Sequence, residues 1–260
     1  MKSHLLVLAT MSSLLAANAS AGLVTHYAFD GNATDSSGYG NDGTVHGATL
    51  TTDRFGMVDK AYAFDGISDY ISASADPLPS ADRTVAFWFQ ANDVANHPVM
   101  LGYGGSSCGT SFFVGLNAVP SIYNDSYYTS SHCDQNNLIS NYTAAPVGAW
   151  IHFAVTTEAT GTKMYLNGSL VASNATYINN TYVSGKDLAI GVATSPAGAA
   201  PYTDGNIGYF SGSLDDVRIY DTALSAQDIR QIAGVPEPAS LLLVSLGIAG
   251  LGYTRRKRWA

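Results

Sequence analysis

Residues 84–90 have the sequence TVAFWFQ, and residues 150–156 have the sequence WIHFAVT. The first run is apolar on both of its alternating faces, which is typical of a central strand that is covered on both sides. The second run alternates, with Ile151, Phe153 and Val155 on one face, as in a strand with one face toward the core. The two runs therefore predict strands in the interior of a β-sheet.

Further short runs rich in β-branched and aromatic residues lie between turns of Gly, Asn, Asp and Ser. These predicted strands are Leu23–Phe29, Asp69–Ser72, Lys163–Leu166, Ser169–Ala172, Asp187–Val192 and Gly208–Tyr220. Asn167-Gly168 predicts a type I′ hairpin turn. The one clear helix signal is a capping box that begins at Ser225, followed by Ile229 and Ile232 on one stripe. We predict an all-β fold, an antiparallel two-sheet β-sandwich of the jelly-roll type with one short C-terminal helix.

The N-terminal residues 1–21 have the three parts of a secretory signal peptide. Lys2 supplies the positive charge, residues 5–17 form the apolar core, and Ala19-Ser20-Ala21 is a small-residue cleavage site. The apolar core is too short for a helix that spans a bilayer. The sequence therefore predicts an exported protein.

The C-terminal residues 235–260 also have three parts. Pro236-Glu237-Pro238 precedes an apolar run at 239–253, predicted as a short transmembrane segment, and a basic cluster at 255–258 follows. This tail resembles the PEP-CTERM sorting signal of Gram-negative bacteria that make exopolysaccharide. The resemblance implies processing by an exosortase at the inner membrane. The protein would then be released or anchored near the outer surface.

The part between the two signals, residues 22–234, has the length of one domain. It contains seven Lys and Arg residues against nineteen Asp and Glu residues, a net charge of −12. Such a charge repels nucleic acid and anionic membranes, so we exclude nucleic-acid binding; it suits a divalent cation or neutral glycans. Cys108 and Cys133 are the only cysteines, and in an exported chain such a pair predicts a disulfide.

Several motifs resemble laminin-G-like jelly rolls of the concanavalin A-like lectin/glucanase group, and they occur in the family's order. They are HYAFDGNATDSSG at 26–38, GNDGT at 40–44, AFDG at 63–66 with DYI at 69–71, LNG at 166–168, and GSLDDVRIY at 212–220 with ALS at 223–225. The resemblance implies a sandwich whose first and last strands are neighbours, with a structural calcium ion nearby.

Four residues are candidate calcium ligands: Asp30, Asn32, Asp35 and Asp215. Calcium takes six to eight oxygen ligands, and a turn rich in Asp and Asn supplies several at once. By strand parity Asp215 is predicted to point toward the core, while Asp216 and Arg218 share the opposite face and pair. The alternative is that these residues form Asx-turns and one hydrogen-bonded buried Asp.

A second candidate site surrounds the predicted disulfide loop. Its residues combine aromatic rings, which stack on sugars, with groups that hydrogen-bond hydroxyls: Tyr123, Asn124, Tyr127, Tyr128 and His132. The alternative is a wet surface loop without a ligand. Trp88 and Trp150, by contrast, lie in the strongest strand runs, and we interpret both as core residues.

Catalysis is not predicted. Glucanases of related sandwiches commonly use two glutamates on one strand, and the mature region has one glutamate, Glu158. Asp215 and Asp216 are adjacent in sequence and are predicted to point to opposite faces of a strand. The sequence therefore predicts a glycan-binding module of the cell envelope or extracellular matrix that binds exopolysaccharide. The alternatives are an adhesive or structural protein that binds another protein and, third, a glycoside hydrolase with an unusual acid pair.

Overall fold

The computed structural model describes residues 22–235, with the exception of 95–96, 106, 108, 118–125, 131–137, 141–146, 178–179 and 204–206. This part of the chain contains sixteen strands and one helix. The strands are β1 (Leu23–Tyr27), β2 (Thr44–His46), β3 (Thr49–Thr51), β4 (Ala61–Asp65), β5 (Tyr70–Ser74), β6 (Arg83–Ala91), β7 (Pro98–Gly104), β8 (Ser111–Asn117), β9 (Ser126–Ser130), β10 (Leu138–Ile139), β11 (Ile151–Glu158), β12 (Gly161–Leu166), β13 (Ser169–Asn174), β14 (Asp187–Ile190), β15 (Gly208–Tyr209) and β16 (Ser211–Tyr220). The helix α1 covers Ala226–Ile232.

The strands form two sheets, and their neighbours run antiparallel except for the parallel pair of β15 with β7. Sheet I has the order β13-β12-β11-β6-β16-β4-β3, and β1 pairs with β16. Sheet II has the order β10-β9-β8-β7-β14-β5-β2. The predicted all-β two-sheet sandwich is confirmed, as is the prediction that the first and last strands are neighbours.

The core lies between the two sheets and is rich in aromatic rings. Phe87 and Phe89 of β6 point into it, and Phe87 stacks on Phe153 of β11 at 5.3 Å between ring centroids. Tyr127 of β9 meets Phe89 edge-on at 5.9 Å. Full burial of a large apolar side chain stabilises the fold by about 2 kcal/mol, so this cluster is a main source of stability.

Helix α1 covers part of the outer face of sheet I. Ser225 and Asp228 form a capping box at its N-terminus, as predicted. Ile229 is fully buried against Ala154 and Tyr165, which lie on the outer face of the sheet. The central strands β6 and β11 are therefore covered on both sides, which explains why the run at 84–90 is apolar on both faces.

Both predicted signals lie outside the described residues, apart from Val235 at the start of the tail. Among the residues of the described ranges, no helix combines the length and the apolar character that crossing a bilayer requires.

Candidate functional site

A groove with a volume of about 610 Å³ opens on the outer face of sheet I, beside the C-terminal end of α1. Its walls come from the loop between β3 and β4, from β6, from the start of β11, from β16 and from the end of the helix. The lining residues are Arg54, Phe55, Trp88, Trp150, Asp216, Arg218, Gln231, Ile232, Ala233 and Gly234. We refer to this site as the helix-end groove.

Two tryptophans contribute aromatic surface to the groove. Phe87 and Phe89 occupy the core, so Trp88 between them points to the outer face of sheet I. Trp150 comes directly before β11, and both tryptophans are half-buried. The interpretation of the two residues as core was wrong, because both line the groove on the outer face of sheet I.

A β-bulge in β16 places two consecutive acids on one face. Asp215 lies opposite Trp88, the register then shifts before Arg218, and Asp216 has a φ of 55°. Such a bulge adds one residue to the strand, so the next side chain that points into the core is that of Val217. The prediction that Asp215 points toward the core was therefore wrong. The predicted pair of Asp216 with Arg218 is confirmed, at 2.8 Å between Oδ1 and Nη2.

Arg54 connects these acids to the aromatic wall of the groove. Its Nη1 donates a hydrogen bond to Asp215 Oδ2, and its Nη2 lies 3.7 Å from Asp216 Oδ2. The guanidinium carbon lies 4.5 Å from the ring centroid of Phe55 and 4.9 Å from that of Trp88. The cation therefore stacks between two rings while it pairs with a carboxylate, an arrangement that fixes the side chain.

The two acids have opposite pKa shifts. Burial raises the pKa of Asp215 to about 7, even with the Arg54 guanidinium beside it. Burial also acts to raise the pKa of Asp216, but the hydrogen bond from His26 at 2.8 Å and the charge of Arg218 outweigh it and hold the pKa below its usual value. The groove is therefore lined by Asp216, whose pKa is lowered, and Asp215, whose pKa is raised to about 7, lies buried beside it.

Two buried polar atoms of this face have no hydrogen-bond partner among the described residues: Trp88 Nε1 and His152 Nδ1. The two rings meet edge-to-face at 5.3 Å. Burial lowers the pKa of His152 to about 3, so its imidazole is neutral at pH 7. Unpaired buried polar atoms are rare in folded proteins, so both atoms are free to bond a water or a ligand at this face.

A second, smaller depression of about 270 Å³ lies where β4 and β15 end. Asp65, Asp93 and Tyr209 are among its lining residues. It contains less aromatic surface than the helix-end groove, so the groove is the stronger candidate for a ligand site.

Each of the four predicted calcium ligands has a different partner. Lys60 Nζ lies 3.3 Å from Oδ1 of the exposed Asp30. Asn32 Oδ1 accepts a hydrogen bond of 2.9 Å from the backbone N–H of Thr34, as in an Asx-turn. Asp215 pairs with Arg54.

Asp35, the fourth predicted ligand, is buried, and its two oxygens accept four hydrogen bonds. The donors are the backbone N–H groups of His26, Ser37 and Asn41 and the hydroxyl of Ser37, at 2.8–3.0 Å. Within the described part of the chain, no three His, Cys, Asp or Glu side chains are grouped so that they could hold a metal ion. The four predicted ligands, as arranged, do not form a calcium site. Calcium binding stays a prediction, and comparing the melting temperature of chelator-treated protein with and without added calcium would test it.

The predicted ligand face at the disulfide loop is only partly described. Tyr127 is fully buried in the core, so it does not offer its ring to a ligand, and this prediction was wrong because the segment forms strand β9 instead of a loop. Tyr128 is half-buried on the other face of β9. Five residues of the two predictions lie outside the described residues: Cys108, Tyr123, Asn124, His132 and Cys133.

Arg54 and Phe55 were not among the residues predicted from the sequence. They belong to a short turn, in which the backbone N–H groups of Phe55 and Met57 both donate to Asp53 Oδ1 at 2.8 Å. The sequence indicates a turn at this place, but only the fold brings the turn next to Trp88 and Asp215.

The sequence profile of the concanavalin A-like lectin/glucanases superfamily matches residues 65–230, and that of the PEP-CTERM protein-sorting motif matches residues 234–258. No curated protein sequence matches this chain significantly.

Solved structures with a similar fold include domain 4 of AbnA, a GH43 extracellular arabinanase from Geobacillus stearothermophilus, in complex with arabinotriose. It has a TM-score of 0.64 and 20% identity, over 82% of this chain and 98% of that chain. The botulinum neurotoxin serotype D ligand binding domain, in complex with N-acetylneuraminic acid, has a TM-score of 0.59 and 16% identity, over 82% and 50%. The binding domain of Paraclostridial Mosquitocidal Protein 1 has a TM-score of 0.59 and 15% identity, over 83% and 52%. The chain thus spans about half the length of the two toxin domains, and the likeness at these identities concerns the fold alone.

Proposed function

The chain belongs to the concanavalin A-like lectin/glucanases superfamily and carries a PEP-CTERM protein-sorting motif, and from this premise we propose that it is an exported, non-enzymatic protein that binds carbohydrate in the helix-end groove. The motif indicates export with a C-terminal sorting signal that an exosortase processes. We further propose that the ligand is an exopolysaccharide at the surface or in the matrix of a Gram-negative cell.

One observation carries the proposal: the groove combines aromatic surface with hydrogen-bonding groups. Phe55, Trp88 and Trp150 supply the rings, while Arg218 and Gln231 supply polar groups at the rim. Sugar rings have an apolar face that packs on aromatic side chains and a ring of hydroxyls that needs donors and acceptors. Ligand sites are typically concave and largely apolar with a few placed polar groups, and the groove has this composition.

The fold is shared by glycoside hydrolases and by binding domains that are not enzymes, so the acids need separate consideration. Glycoside hydrolysis requires two carboxyl groups that flank the scissile bond. The Asp215 side chain is 5% exposed and pairs with Arg54, and Asp216 pairs with His26 and Arg218. Glu158 pairs with Lys163 at the β11–β12 hairpin, at 3.1 Å. These contacts support a binding role, since the acids are engaged within the protein.

The proposal is tested on a glycan array and on the native extracellular polysaccharide, with the Trp150→Ala variant as the probe of the groove. We expect loss of the aromatic face to weaken binding about tenfold, because contact with about 50 Å² of apolar ring surface contributes about 1.3 kcal/mol at about 25 cal/mol per Å². Tyr39→Ala is the matched control, since Tyr39 is 68% exposed and does not line the groove. Equal binding by the Trp150 and Tyr39 variants, or no glycan binding by the unaltered protein, would contradict the proposal.

The absence of catalysis is tested by incubating the protein with each bound glycan and measuring newly formed reducing ends. We expect none above the buffer level. Release that is lost in Asp215→Asn or Asp216→Asn would assign a hydrolase to this pair instead.

A second candidate function, adhesion to another protein, is favoured by one exposed apolar loop. Phe55, Met57 and Val58 are 71%, 52% and 72% exposed, next to the groove. If this loop mediates adhesion, replacing Met57 and Val58, which do not line the groove, by Ser strongly weakens sugar-independent attachment of the protein to cell surfaces and leaves glycan binding in place. Attachment that free glycan inhibits completely would exclude this function.

A further inference from the structure

Two nitrogen atoms below the helix-end groove have no hydrogen-bond partner in the described part of the chain: Trp88 Nε1 and His152 Nδ1. The two residues are direct cross-strand neighbours of β6 and β11. Ile151 and Phe153 point into the core, so His152 between them lies on the outer face of sheet I, like Trp88. A buried polar group without a partner is costly, so both atoms favour a bound group that pairs with them.

The position of this pair connects it to the groove. Trp88 lines the groove, and its ring meets that of His152 edge-to-face at 5.3 Å between centroids. Three charged side chains that line the groove also act electrostatically on the imidazole: Asp216, Arg218 and Arg54. The two unpaired nitrogens therefore lie at the floor of the groove.

A hydroxyl is the group that suits both atoms. The indole N–H of Trp88 only donates, whereas a nitrogen of a neutral imidazole donates or accepts according to the tautomer. Burial lowers the pKa of His152 to about 3, so the ring is neutral at pH 7. A hydroxyl both donates and accepts, and it pairs with the two nitrogens in either tautomer. A carboxylate only accepts, and the Asp216 carboxylate that lines the groove repels it.

The depth of the two nitrogens selects the kind of hydroxyl. Both atoms are buried, and His152 is only 2% exposed. A hydroxyl attached directly to a sugar ring stays close to the ring, whereas the primary hydroxyl of a hydroxymethyl group extends one carbon further and rotates. The groove has a volume of about 610 Å³, which leaves room for the sugar ring above its floor.

We propose that the floor of the helix-end groove is a subsite for the primary hydroxyl of a neutral sugar, which bonds Trp88 Nε1 and His152 Nδ1. This inference rests on the proposed function and narrows its ligand class. The sugar units that bind carry a free hydroxymethyl group, as neutral hexoses do. Pentopyranoses and uronic acids, which lack this group, bind weakly.

The test compares sugars that differ only in the hydroxymethyl group. The probes are the methyl pyranosides of D-glucose, D-galactose and D-mannose, each paired with the pentopyranoside of the same ring configuration: D-xyloside, L-arabinoside and D-lyxoside. NMR titration of the full-length chain with isotope-labelled tryptophan measures the affinities. We expect the tightest-binding hexoside to exceed its pentoside about tenfold in affinity, because the site loses its hydroxyl partner with the pentoside. This hexoside should also shift the indole N–H signal of Trp88 downfield.

Three variants assign the difference to the floor of the groove. Trp88→Phe keeps an aromatic ring and removes the N–H, and His152→Phe removes the second nitrogen; each should bring the hexoside-to-pentoside ratio close to one. Trp150→Phe is the matched control, the same substitution at the other tryptophan of the groove, and it should retain the ratio. Each ratio compares two sugars on one protein, so a loss of affinity that both sugars share cancels.

The outcomes separate the subsite from the proposed function. Binding with equal affinity within every sugar pair would overturn the subsite, assign the two nitrogens to water alone and leave carbohydrate binding in place. A ratio that persists in both Trp88→Phe and His152→Phe would place the hydroxymethyl contact elsewhere and overturn the subsite as well. No shift of the Trp88 or Trp150 indole signals with any of these sugars would also overturn it, and a silent glycan array in addition would contradict the proposed function.

Discussion

Asp35 is a single acid that holds a surface loop to the first strand. Its carboxylate accepts backbone hydrogen bonds from His26, Ser37 and Asn41, and burial alone would raise its pKa, but these bonds hold the pKa below its usual value. We expect Asp35→Ala to lower the free energy of unfolding by about 3 kcal/mol, because hydrogen bonds to a charged group are lost and buried donors stay unpaired. Urea denaturation measures the change. Asp30→Ala is the control, since that side chain is 63% exposed, and a loss equal to that of Asp35→Ala would contradict the assignment.

Asp215 makes the stability of the protein depend on pH. Burial raises its folded-state pKa to about 7, whereas an unfolded Asp has a pKa of about 3.9. Between these values the folded state binds more protons than the unfolded state, so the contribution of this group to stability falls as pH rises from about 4 through 7. We expect Asp215→Asn to remove this slope, which is at most about 1.4 kcal/mol per pH unit. Urea denaturation at a series of pH values measures it, and identical slopes in both proteins would contradict the shift.

Individual side chains of the groove were the least predictable part of the sequence. Alternation places neighbouring residues on opposite faces, and this rule failed at Asp215 and Asp216 because a bulge adds one residue to β16. The bulge is not encoded by a glycine, the residue that usually occupies its left-handed position. Arg54 was also beyond prediction, because its partners are distant in sequence.

At the scale of elements, the hairpin between β12 and β13 depends on a glycine that lies against α1. Asn167 and Gly168 have φ values of 47° and 75°, as the predicted type I′ turn requires. A Cβ on Gly168 would lie 2.9 Å from Arg230 Cγ and 3.2 Å from Arg230 Cα. The turn is therefore both a conformational and a packing requirement.

We expect Gly168→Ala to destabilise the protein by about 2–3 kcal/mol, in part through the left-handed backbone and in part through displacement of the helix. Gly185→Ala separates the two causes, because Gly185 has a φ of 61° and no atom within 4 Å of its added Cβ. The control should lose only about 1 kcal/mol. Thermal or urea unfolding of both variants makes the comparison, and equal losses would mean that contact with α1 does not matter.

Strands with an uninterrupted apolar pattern could be predicted from the sequence, and strands without one could not. The central runs at 84–90 and 150–156 correspond to β6 and β11, and the capping box correctly placed α1. Strands β7 and β8 were missed because glycines interrupt their apolar runs, at Gly102 and Gly115 among others. Their place in the middle of sheet II, with partners on both sides, stabilises them beyond what local sequence indicates.

At the scale of the molecule, the helix-end groove lies beside the point where the sorting-motif match begins, at residue 234. The groove is built on the outer face of sheet I, and α1 ends in its wall just before the tail. The fold itself was predictable because the sandwich pattern and the family motifs extend over most of the domain. The groove was not, because it depends on how a loop, a bulge and a helix end meet on one face.

The charge of the whole domain predicts which glycans the groove accepts. Residues 22–234 carry a net charge of −12, and the arginines of the groove already pair with Asp215 and Asp216. A neutral glycan makes no net ion pair there, so we expect its affinity to change less than about twofold between about 0.05 and 0.5 M NaCl. An acidic oligosaccharide of the same length is the comparison: the domain repels it, and salt should strengthen its binding by screening. Isothermal titration measures both, and a neutral glycan whose affinity falls tenfold in salt would mean that free positive charge, instead of aromatic stacking, dominates the site.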